Sequence, residues 1–207
     1  MTSAGQRHYL PAVILNKIRE GIKKIFRSLY KSVYKKEMVH CGKNVRFDPL
    51  SSYITYDKLS VGDDVYIGHG ATLRGFLTIG NHCLFGPYVY TTDGRHDYEQ
   101  VGKYIMEQGG LPKQMIHIED DCWIGASTMI MRGITIGEGT VVGGMSVITK
   151  DLPPYTICVG NPCRPIKKRY TDNELLEHYR LLGKSPDQAT IIIERRESML
   201  RDRGINL

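Results

Sequence analysis

A six-residue apolar repeat constrains the fold of this 207-residue chain more than any other feature. Every sixth residue from Val61, and again from Ile118, is large and apolar: Val61, Ile67, Leu73, Ile79, Phe85, Ile118, Ile124, Ile130, Ile136, Val142 and Ile148. A period of six fits neither an α-helix nor the period of two that is typical of a strand. It fits a solenoid in which three six-residue units, each a short strand and a corner, make one turn of triangular section.

Small residues complete this pattern. Glycine directly follows the apolar residue in seven of the eleven units, where it permits the corner. A smaller residue falls four positions after the apolar one at Val65, Ala71, Cys83, Thr128, Thr140 and Ser146. Residues 118–135 and 136–153 are each predicted to form a complete turn, and Val39 and Val45 to belong to a first, irregular turn. We therefore expect an all-β solenoid, a parallel β-helix that buries its core by stacking turns.

The repeat is interrupted once, by residues 91–117. A loop of this length inside a compact repeat is usually functional or disordered. Because the segment is rich in polar and aromatic residues, we expect it to carry functional side chains.

A basic segment precedes the repeat. Residues 1–36 contain nine Lys or Arg and one acid, Glu20, whereas the rest of the chain has 19 basic and 21 acidic residues. Apolar residues recur there at helical spacing, at Ile14, Ile18, Ile22, Ile25, Phe26, Leu29 and Val33. Residues 1–38 are thus predicted to form an amphipathic helical arm that Gly21 breaks or weakens. Two roles are open for residues 10–36: packing on the body or a neighbouring subunit, or contact with an anionic membrane face.

The last segment, residues 170–207, is predicted to be helical. Thr171 and Glu174 have the spacing of a capping box, and Gly183 ends the first helix. Ser185-Pro186-Asp187 begins a second helix, which is expected to end near residue 203. We expect the two helices to cap the open end of the solenoid, which residues 39–169 form.

Composition argues against several classes of protein. No run approaches the ~20 consecutive apolar residues of a membrane span, and the stretch 10–15 is too short for a signal peptide. Five cysteines without CxxC spacing favour reduced thiols in the cytosol over disulfides or a zinc site. A nucleic-acid-binding domain would carry its excess positive charge on the folded body, whereas here it lies in the arm. We expect a cytoplasmic protein with no nucleic-acid partner, with the inner face of the membrane as the alternative location.

Three further motifs accompany the repeat: Trp123-Ile124-Gly125, Thr149-Lys150-Asp151 and Gly160-Asn161-Pro162. Together with the repeat they resemble the left-handed β-helix acyltransferases, in particular the galactoside, maltose and polysaccharide O-acetyltransferases, over residues 39–169. The resemblance implies a left-handed helix, against the usual right-handed crossover rule. It also implies acetyl-CoA as the acyl donor without any metal, and a homotrimer whose active sites lie between subunits.

The resemblance implies a catalytic role for His96, which lies in the interrupting loop about ten residues after Gly86-Pro87. An imidazole, with an ordinary pKa of about 6.5, can take the proton of a sugar hydroxyl during its attack on a thioester. The family commonly has proline after this histidine, whereas Asp97 stands here. Either Asp97 or Asp93 is a candidate to orient the ring. The alternative is that His96 is a structural loop residue.

The same resemblance implies which residues contact acetyl-CoA: Trp123, Ala126, Gly144, Thr149, Lys150, Arg164 and Lys167. The backbone amide of Ala126 would meet the thioester carbonyl and stabilise the tetrahedral oxyanion. Gly144 would contact pantetheine, and Trp123 would line the cleft near its acetyl end. The remaining four would lie toward the nucleotide, where its phosphates need cations. The alternatives are corner packing for the first three residues and solvated surface charge for the basic ones.

The other histidines of the repeat region, His69, His82 and His117, are expected at outer or corner positions. Gly68 or His69 stands where the family often has an acceptor-orienting asparagine, which leaves acceptor specificity open. A metal hydratase of the same fold would need three zinc-binding histidines. The spacings of 13, 14 and 21 residues between His69, His82, His96 and His117 lack the tight pairing of that family.

We therefore predict an acetyl-CoA-dependent O-acetyltransferase that acts on a hydroxyl of a sugar. A precursor of a cell-surface polysaccharide is favoured, because the basic arm suits a site at the membrane face. Two alternatives are an O-acetyltransferase for antibiotics or other small hydroxyl compounds, and a non-catalytic β-helix scaffold that uses its arm and tail for assembly.

Overall fold

The structure is a computed structural model that describes residues 12–34, 40–48, 53–54 and 58–207. The helices are α1 (Ala12–Tyr34), α2 (Asp172–Leu181) and α3 (Pro186–Arg201), and a short 3₁₀ helix spans Ile105–Glu107. The strands are β1 (His40–Cys41), β2 (Arg46–Phe47), β3 (Tyr53–Ile54), β4 (Leu59–Val61), β5 (Tyr66–Ile67), β6 (Thr72–Leu73), β7 (Leu77–Ile79), β8 (Leu84–Phe85), β9 (Tyr90–Thr91), β10 (Ile116–Ile118), β11 (Trp123–Ile124), β12 (Met129–Ile130), β13 (Thr135–Ile136), β14 (Val141–Val142), β15 (Val147–Ile148), β16 (Thr156–Val159) and β17 (Arg164–Lys168).

These strands form three parallel sheets, one on each side of a solenoid. The first sheet has the order β1-β4-β7-β10-β13, the second β2-β5-β8-β11-β14-β16 with β17 added antiparallel, and the third β3-β6-β9-β12-β15. Ile118 pairs with Ile136, 18 residues later, as three six-residue units require. In the first turn Cys41 pairs with Val61, 20 residues later, so this turn is irregular as predicted. The parallel β-helix is confirmed.

The eleven apolar repeat residues fill the interior of the solenoid, and none of them is more than 3% exposed. The smaller residues at the corners are buried too, and their hydroxyls are satisfied within the corner. Thr128 donates to the carbonyl of Gly125 at 2.8 Å, and Ser146 donates to that of Gly143 at 2.7 Å. Val45 is buried in the first turn, whereas Val39 lies outside the described residues.

Three corners join the sheets: the first corner leads from the first sheet to the second, the second corner from the second to the third, and the third corner back to the first. At the first corner, side chains of one turn bind backbone amides of the turn before it. The amide of Lys43 donates to Asp63 Oδ1 (2.7 Å), that of Asp63 to Asn81 Oδ1 (2.9 Å), and that of Asn81 to Asp120 Oδ1 (2.8 Å). This ladder satisfies corner N–H groups that the strands leave unpaired.

The C-terminal helices begin at the predicted caps. Thr171 accepts a hydrogen bond from the amide of Glu174, whose carboxylate accepts one from the amide of Thr171, and Ser185 caps α3 in the same way. Gly183 follows α2 with a φ of +68°, a conformation that favours glycine. Helix α3 ends at Arg201, two residues before its expected end.

These helices are anchored to the first corner of the last turns as well as to each other. Arg195 on α3 lies 2.8 Å from Glu119, and Lys184, between the helices, lies 2.9 Å from Glu138. Tyr155, at the end of the solenoid, is buried in one cluster with Leu175, Tyr179 and Ala189. The C-terminal helices therefore contact the side of the solenoid as well as its end.

Helix α1 runs through Gly21 without interruption, so of the two predicted effects of this glycine the break is wrong, and a weakening of the helix stays a prediction. Its described apolar side chains do not pack on the body: Ile14, Leu15, Ile18, Ile22, Ile25, Phe26 and Leu29 are each 43–61% exposed. Lys23 lies 3.5 Å from Asp48 and so links α1 to the first turn. Among the described helices, none has the length and apolarity to cross a membrane.

The inward repeat residues should dominate stability. We expect Ile130→Ala, at a fully buried position, to lower the free energy of unfolding by about 2–5 kcal/mol, because it removes buried apolar surface and leaves a cavity. Ile191→Ala, on the exposed face of α3, should change it by less than about 0.5 kcal/mol. Urea unfolding followed by circular dichroism measures both. Equal effects would contradict the assigned phase of the repeat.

Candidate active site

The second corner lacks the side-chain ladder of the first corner. Its equivalent positions in three successive turns are Pro87, Ala126 and Gly144, and none of these side chains has an oxygen that could bind a neighbouring amide. In the hydrogen bonds of the described residues, the N–H groups of Ala126 and Gly144 are not donors. Ala126 is half-buried and Gly144 is exposed. The corner therefore presents two unpaired, accessible N–H donors, one above the other.

The backbone around these two donors is tightly held. The amide of Ser127 donates to the carbonyl of Pro87 at 2.9 Å, and that of Met145 donates to the carbonyl of Ala126 at 2.8 Å. A Cβ atom added to Gly144 would lie 3.1 Å from the oxygen and 3.7 Å from the nitrogen of Ala126. Glycine at position 144 thus keeps the space beside the Ala126 amide open.

Apolar side chains flank the second corner on both sides. On the outer face of the third sheet, Met129 stands in register with Tyr90 and Val147. On the outer face of the second sheet, Trp123 is 51% exposed and stands between Leu84 and Val141. The donors of the corner thus lie beside two apolar surfaces, a combination that suits an elongated ligand with apolar and amide groups.

The interrupting loop is ordered as an antiparallel ribbon. His96 forms a bridge with Gly110, the amide of Leu111 donates to the carbonyl of Arg95 at 2.9 Å, and the amide of Asp97 donates to that of Gly109 at 3.0 Å. The ribbon leaves the solenoid at the third corner after β9 and returns at β10. His96 is exposed, and its backbone is fixed by the hydrogen bonds on either side.

Of the two carboxylates near His96, Asp97 makes its hydrogen bonds within the turn of the ribbon, and Asp93 ties the base of the ribbon to the preceding turn of the solenoid. Asp97 accepts from the side chain of Gln100 at 2.7 Å and from the amide of Glu99 at 3.1 Å, and these bonds, the first above all, lower the pKa of its carboxyl group. Asp93 is buried, accepts from the amide of Phe76 at 3.2 Å and lies 3.4 Å from the Lys113 ammonium. Both carboxylates therefore stabilise the ribbon, and orientation of the His96 ring by either of them stays a prediction.

The predicted cofactor residues fall in three places. Trp123, Ala126 and Gly144 lie at or beside the second corner. Thr149 and Lys150 follow β15 at the third corner, on the same edge of the third sheet as the His96 ribbon, and both are exposed. Residues 126–131 cross that sheet, which corresponds to roughly 15 Å of extended backbone. In one chain, His96 and Ala126 thus belong to opposite edges of the third sheet.

The last two predicted residues lie on β17, at the end of the second sheet. Arg164 and Lys167 are exposed, and Arg164 donates to the carbonyl of Cys163 at 3.0 Å. Lys167 pairs in register with Ile157 of β16. These two cations therefore lie beyond Val141 and Trp123 along the outer face of that sheet, on the C-terminal side of the second corner.

The other histidines occupy the predicted outer or corner positions. The His69 ring lies 4.8 Å from that of Tyr88 at the second corner, and His82 Nδ1 lies 3.7 Å from Asp64 at the first corner. His117 Nδ1 lies 2.9 Å from the hydroxyl of Thr78 on the outer face of the first sheet. In the described part of the chain, no three His, Cys, Asp or Glu side chains are grouped as metal ligands would be.

Cys83 and Cys122, which directly precede strands β8 and β11 of the second sheet, are not placed as nucleophiles, because both are buried. Cys122 is buried below Trp123, and burial raises the pKa of its thiol well above the ordinary value. Cys83 is buried one turn earlier and donates to the carbonyl of Glu119 at 3.2 Å. A thiol buried inside the solenoid, as both of these are, cannot reach a thioester bound outside it.

Sequence reasoning predicted Ala126 and Gly144 by resemblance and missed the physical reason that sets them apart. Their position, two residues after the inward apolar residue, carries Asp63, Asn81 and Asp120 at the first corner. The absence of an oxygen-bearing side chain at the second corner was visible in the sequence. The apolar surface formed by Tyr90, Met129 and Val147 was not identified, since it depends on register between turns.

Comparison with known proteins places the chain in a family. The sequence profile of the family described as bacterial transferase hexapeptide (six repeats) matches residues 59–93 and 115–150. A putative acetyltransferase of Schizosaccharomyces pombe is 41% identical over 92 residues, which cover 44% of this chain and 43% of that protein. The putative colanic acid biosynthesis acetyltransferase WcaF of Escherichia coli is 36% identical over 131 residues, 62% of this chain and 68% of that protein. A chloramphenicol acetyltransferase of Klebsiella aerogenes is 34% identical over 146 residues, 62% of each chain.

Solved structures agree with this assignment. A maltose O-acetyltransferase from Clostridium difficile has a TM-score of 0.60 at 28% identity, covering 76% of this chain and 89% of that one. A hexapeptide-repeat acetyltransferase from Vibrio cholerae, solved in complex with acetyl-CoA, has a TM-score of 0.55 at 25% identity, covering 70% of this chain and 79% of that one. The chain therefore belongs to the hexapeptide-repeat acetyltransferases, whose repeat is that of a left-handed β-helix. It spans 43–68% of the curated relatives named above.

The open space beside the Ala126 amide leads to a prediction about acetyl-CoA binding. We expect Gly144→Ala to weaken binding about fivefold or more, because its Cβ would stand 3.7 Å from the Ala126 nitrogen and obstruct a hydrogen bond worth about 1 kcal/mol. Gly21→Ala is the matched control, because its added Cβ meets nothing within 4 Å. Isothermal titration with acetyl-CoA measures both dissociation constants. Equal constants would remove the second corner from the acetyl-CoA site.

Proposed function

We propose that this chain is an acetyl-CoA-dependent O-acetyltransferase that transfers the acetyl group to a hydroxyl of a sugar, in particular in a precursor of a cell-surface polysaccharide. The observation that carries the proposal is the pair of unpaired N–H donors of Ala126 and Gly144 beside an apolar surface. Acetyl-CoA as donor is supported by the Vibrio cholerae relative solved with it. A polysaccharide precursor as acceptor is supported by the relative assigned to colanic acid biosynthesis.

In this proposal the donor lies along the third sheet. The apolar side chains of Tyr90, Met129 and Val147 form the floor beneath the pantetheine arm. The Ala126 amide binds the thioester carbonyl oxygen, and the Gly144 amide binds an acceptor group of pantetheine one turn later. Arg164 and Lys167, on the C-terminal side of the second corner, lie toward the nucleotide, and Thr149 and Lys150, at the third corner, reach it from the neighbouring subunit. The three basic side chains are exposed and supply positive charge for the phosphates.

The proposed reaction proceeds in a ternary complex without a covalent enzyme intermediate. The His96 imidazole takes the proton of the acceptor hydroxyl as its oxygen attacks the thioester carbonyl carbon. The carbonyl oxygen becomes an oxyanion, which the Ala126 N–H stabilises. When this intermediate collapses, the carbon–sulfur bond breaks, and the departing sulfur receives the proton held by the imidazolium. The products are the O-acetyl ester and CoA with a free thiol.

A homotrimer brings the two halves of this site together. In one chain, His96 and Ala126 belong to opposite edges of the third sheet, so a neighbour that places its ribbon against the second corner completes the site. The tip of the ribbon exposes Tyr104, Ile105 and Met106, which are 81%, 60% and 92% exposed. Exposed apolar groups at a protruding tip are typical of a surface that a partner covers.

A second candidate acceptor is an antibiotic or another small hydroxyl compound. It is favoured by the similarity to chloramphenicol acetyltransferase, which covers 62% of both chains. The donor half of the site would be the same in both cases. The non-catalytic scaffold is less well supported, since a scaffold does not need an exposed imidazole on an ordered ribbon. Use of acetyl-CoA supports a cytoplasmic location for the reaction.

Substitution of His96 tests the proposed chemistry. We expect His96→Asn to lower kcat about 10²–10⁴-fold, because the attacking hydroxyl loses its general base. The dissociation constant for acetyl-CoA should stay within twofold of that of the unmodified protein. This corresponds to a change in binding free energy on the order of a few tenths of a kcal/mol. Release of the CoA thiol in the presence of a sugar acceptor measures kcat, and titration calorimetry measures the dissociation constant.

His82→Asn is the matched control for this substitution. His82 is another exposed histidine, it lies at the first corner with a φ of +57°, and asparagine tolerates that conformation. Its kcat should be unchanged. Acetyl transfer that survives in His96→Asn would overturn the role of the imidazole, and a protein that binds acetyl-CoA but acetylates nothing would favour the scaffold.

An acceptor panel separates the two candidate substrates. We expect kcat/KM for galactosides, maltose and nucleotide-linked or lipid-linked sugars to exceed that for chloramphenicol at least tenfold, a difference of about 1.4 kcal/mol in transition-state binding. Mass spectrometry of the products identifies the acetylated compound. A preference for chloramphenicol would assign the chain to the second candidate function while leaving the acetyl-CoA site intact.

A further inference from the structure

We propose that α1 is a docking helix for an anionic lipid membrane, so that the enzyme works while held at a bilayer surface. The helix protrudes from the first turn of the solenoid, and its described apolar side chains are exposed. The proposal is independent of the acceptor, because no residue of α1 belongs to the candidate active site.

Seven apolar residues of α1 form one continuous face, and Val13, which is also exposed, lies outside it. At 3.6 residues per turn the seven fall within an arc of about 120°, and the arc runs the length of the helix. It contains Ile14, Leu15, Ile18, Ile22, Ile25, Phe26 and Leu29. Each of these side chains is between 43% and 61% exposed, so the body of the chain does not cover the face. A face of this width is broader than the narrow seam between two helices and suits shallow burial at an interface.

Outside this arc, all but one of the charged residues of α1 are basic. Helix α1 carries Lys17, Arg19, Lys23, Lys24, Arg27 and Lys31 against a single acid, Glu20. Lys17, Arg19 and Lys24 are exposed, and Lys23 is shared between Glu20 and Asp48, each at 3.5 Å. Long basic side chains beside an apolar face can reach up to lipid phosphates while the apolar groups are buried. The charge of the helix is therefore complementary to an anionic lipid surface.

Copies of α1 fit this face less well than lipid does. A coiled coil stabilises its apolar seam with opposite charges at the flanking positions. Around a seam through Ile18, Ile22 and Ile25, the flanking residues are Ile14, Arg19, Gly21, Phe26 and Ser28. They contain one positive charge and no acid, so neighbouring copies would gain no ion pair there.

The ion pair between Lys23 and Asp48 determines which end of the solenoid would lie next to the membrane. It holds α1 near the first turn, which is at the far end of the solenoid from β17 and the C-terminal helices. Docking through α1 therefore leaves the second corner and the His96 ribbon facing water, where acetyl-CoA arrives.

Vesicle sedimentation of the full-length protein tests the proposal. We expect binding to phosphatidylcholine vesicles that contain phosphatidylglycerol, and much weaker binding to phosphatidylcholine alone. High salt should weaken the binding, since it screens exposed charges. Lys17→Gln with Lys24→Gln should weaken it roughly 25-fold, at about fivefold for each basic residue. Ile18→Glu with Ile25→Glu should abolish it.

Ile191→Glu is the matched control, because Ile191 is as exposed on α3 as Ile25 is on α1. It should bind vesicles as the unmodified protein does. All variants should keep their affinity for acetyl-CoA, which shows that the solenoid is folded. Absence of binding to anionic vesicles, or equal binding by the Ile18/Ile25 variant, would overturn the proposal. Loss of oligomer mass in that variant without vesicles would also overturn it and assign the face to contact between copies.

Discussion

The stacking of one inward apolar residue per six-residue unit is the constraint on which the rest of the molecule depends. Each such residue packs on its equivalents in the turns above and below, as Ile124 does between Phe85 and Val142. Because the core requires only that every sixth residue be apolar and point inward, residues at the corners and on the outer faces can vary without disturbing the core. The interruption illustrates the point: Thr91 still pairs with Ile130 across the whole ribbon. A long insertion is therefore compatible with continuous stacking of the strands, even though the inward residue before it, Thr91, is polar.

This freedom is used differently at two corners of the same turn. The first corner pairs the amides of Lys43, Asp63 and Asn81 with side-chain oxygens of the next turn, which stiffens it. The second corner leaves the amides of Ala126 and Gly144 unpaired at the surface. Water can satisfy an accessible N–H, so the cost in stability is small, whereas a rigid donor already in place needs no reorganisation when an oxyanion forms.

Features that depend on local spacing could be predicted from the sequence. The buried phase of the repeat and the capping box at Thr171 and Glu174 are of this kind, because each involves residues a few positions apart. The ribbon that pairs His96 with Gly110 could not be predicted, since it depends on how a polar loop folds back on itself. At Gly21 a local rule gave a wrong expectation of a break. The low helix propensity of glycine costs about 1 kcal/mol, but the flanking helical turns outweigh this cost and the helix continues. The candidate site depends on register between turns and, in the proposed trimer, on contact between subunits, and spacing along one chain encodes neither.

The geometry of the ribbon supports the proposal that a neighbouring subunit completes the surroundings of His96. Hydrogen bonds on both sides of His96 fix its backbone, and those of Asp97 and Asp93 serve the turn and base of the ribbon. The backbone of His96 is therefore fixed, whereas its side chain, with the reactive ring nitrogens, is exposed. Catalysis by a general base requires a defined ring position within about 3 Å of the hydroxyl proton it takes. In the proposed trimer, the surface that confines the ring is the second corner of the adjacent subunit, so assembly and activation of the histidine are the same event.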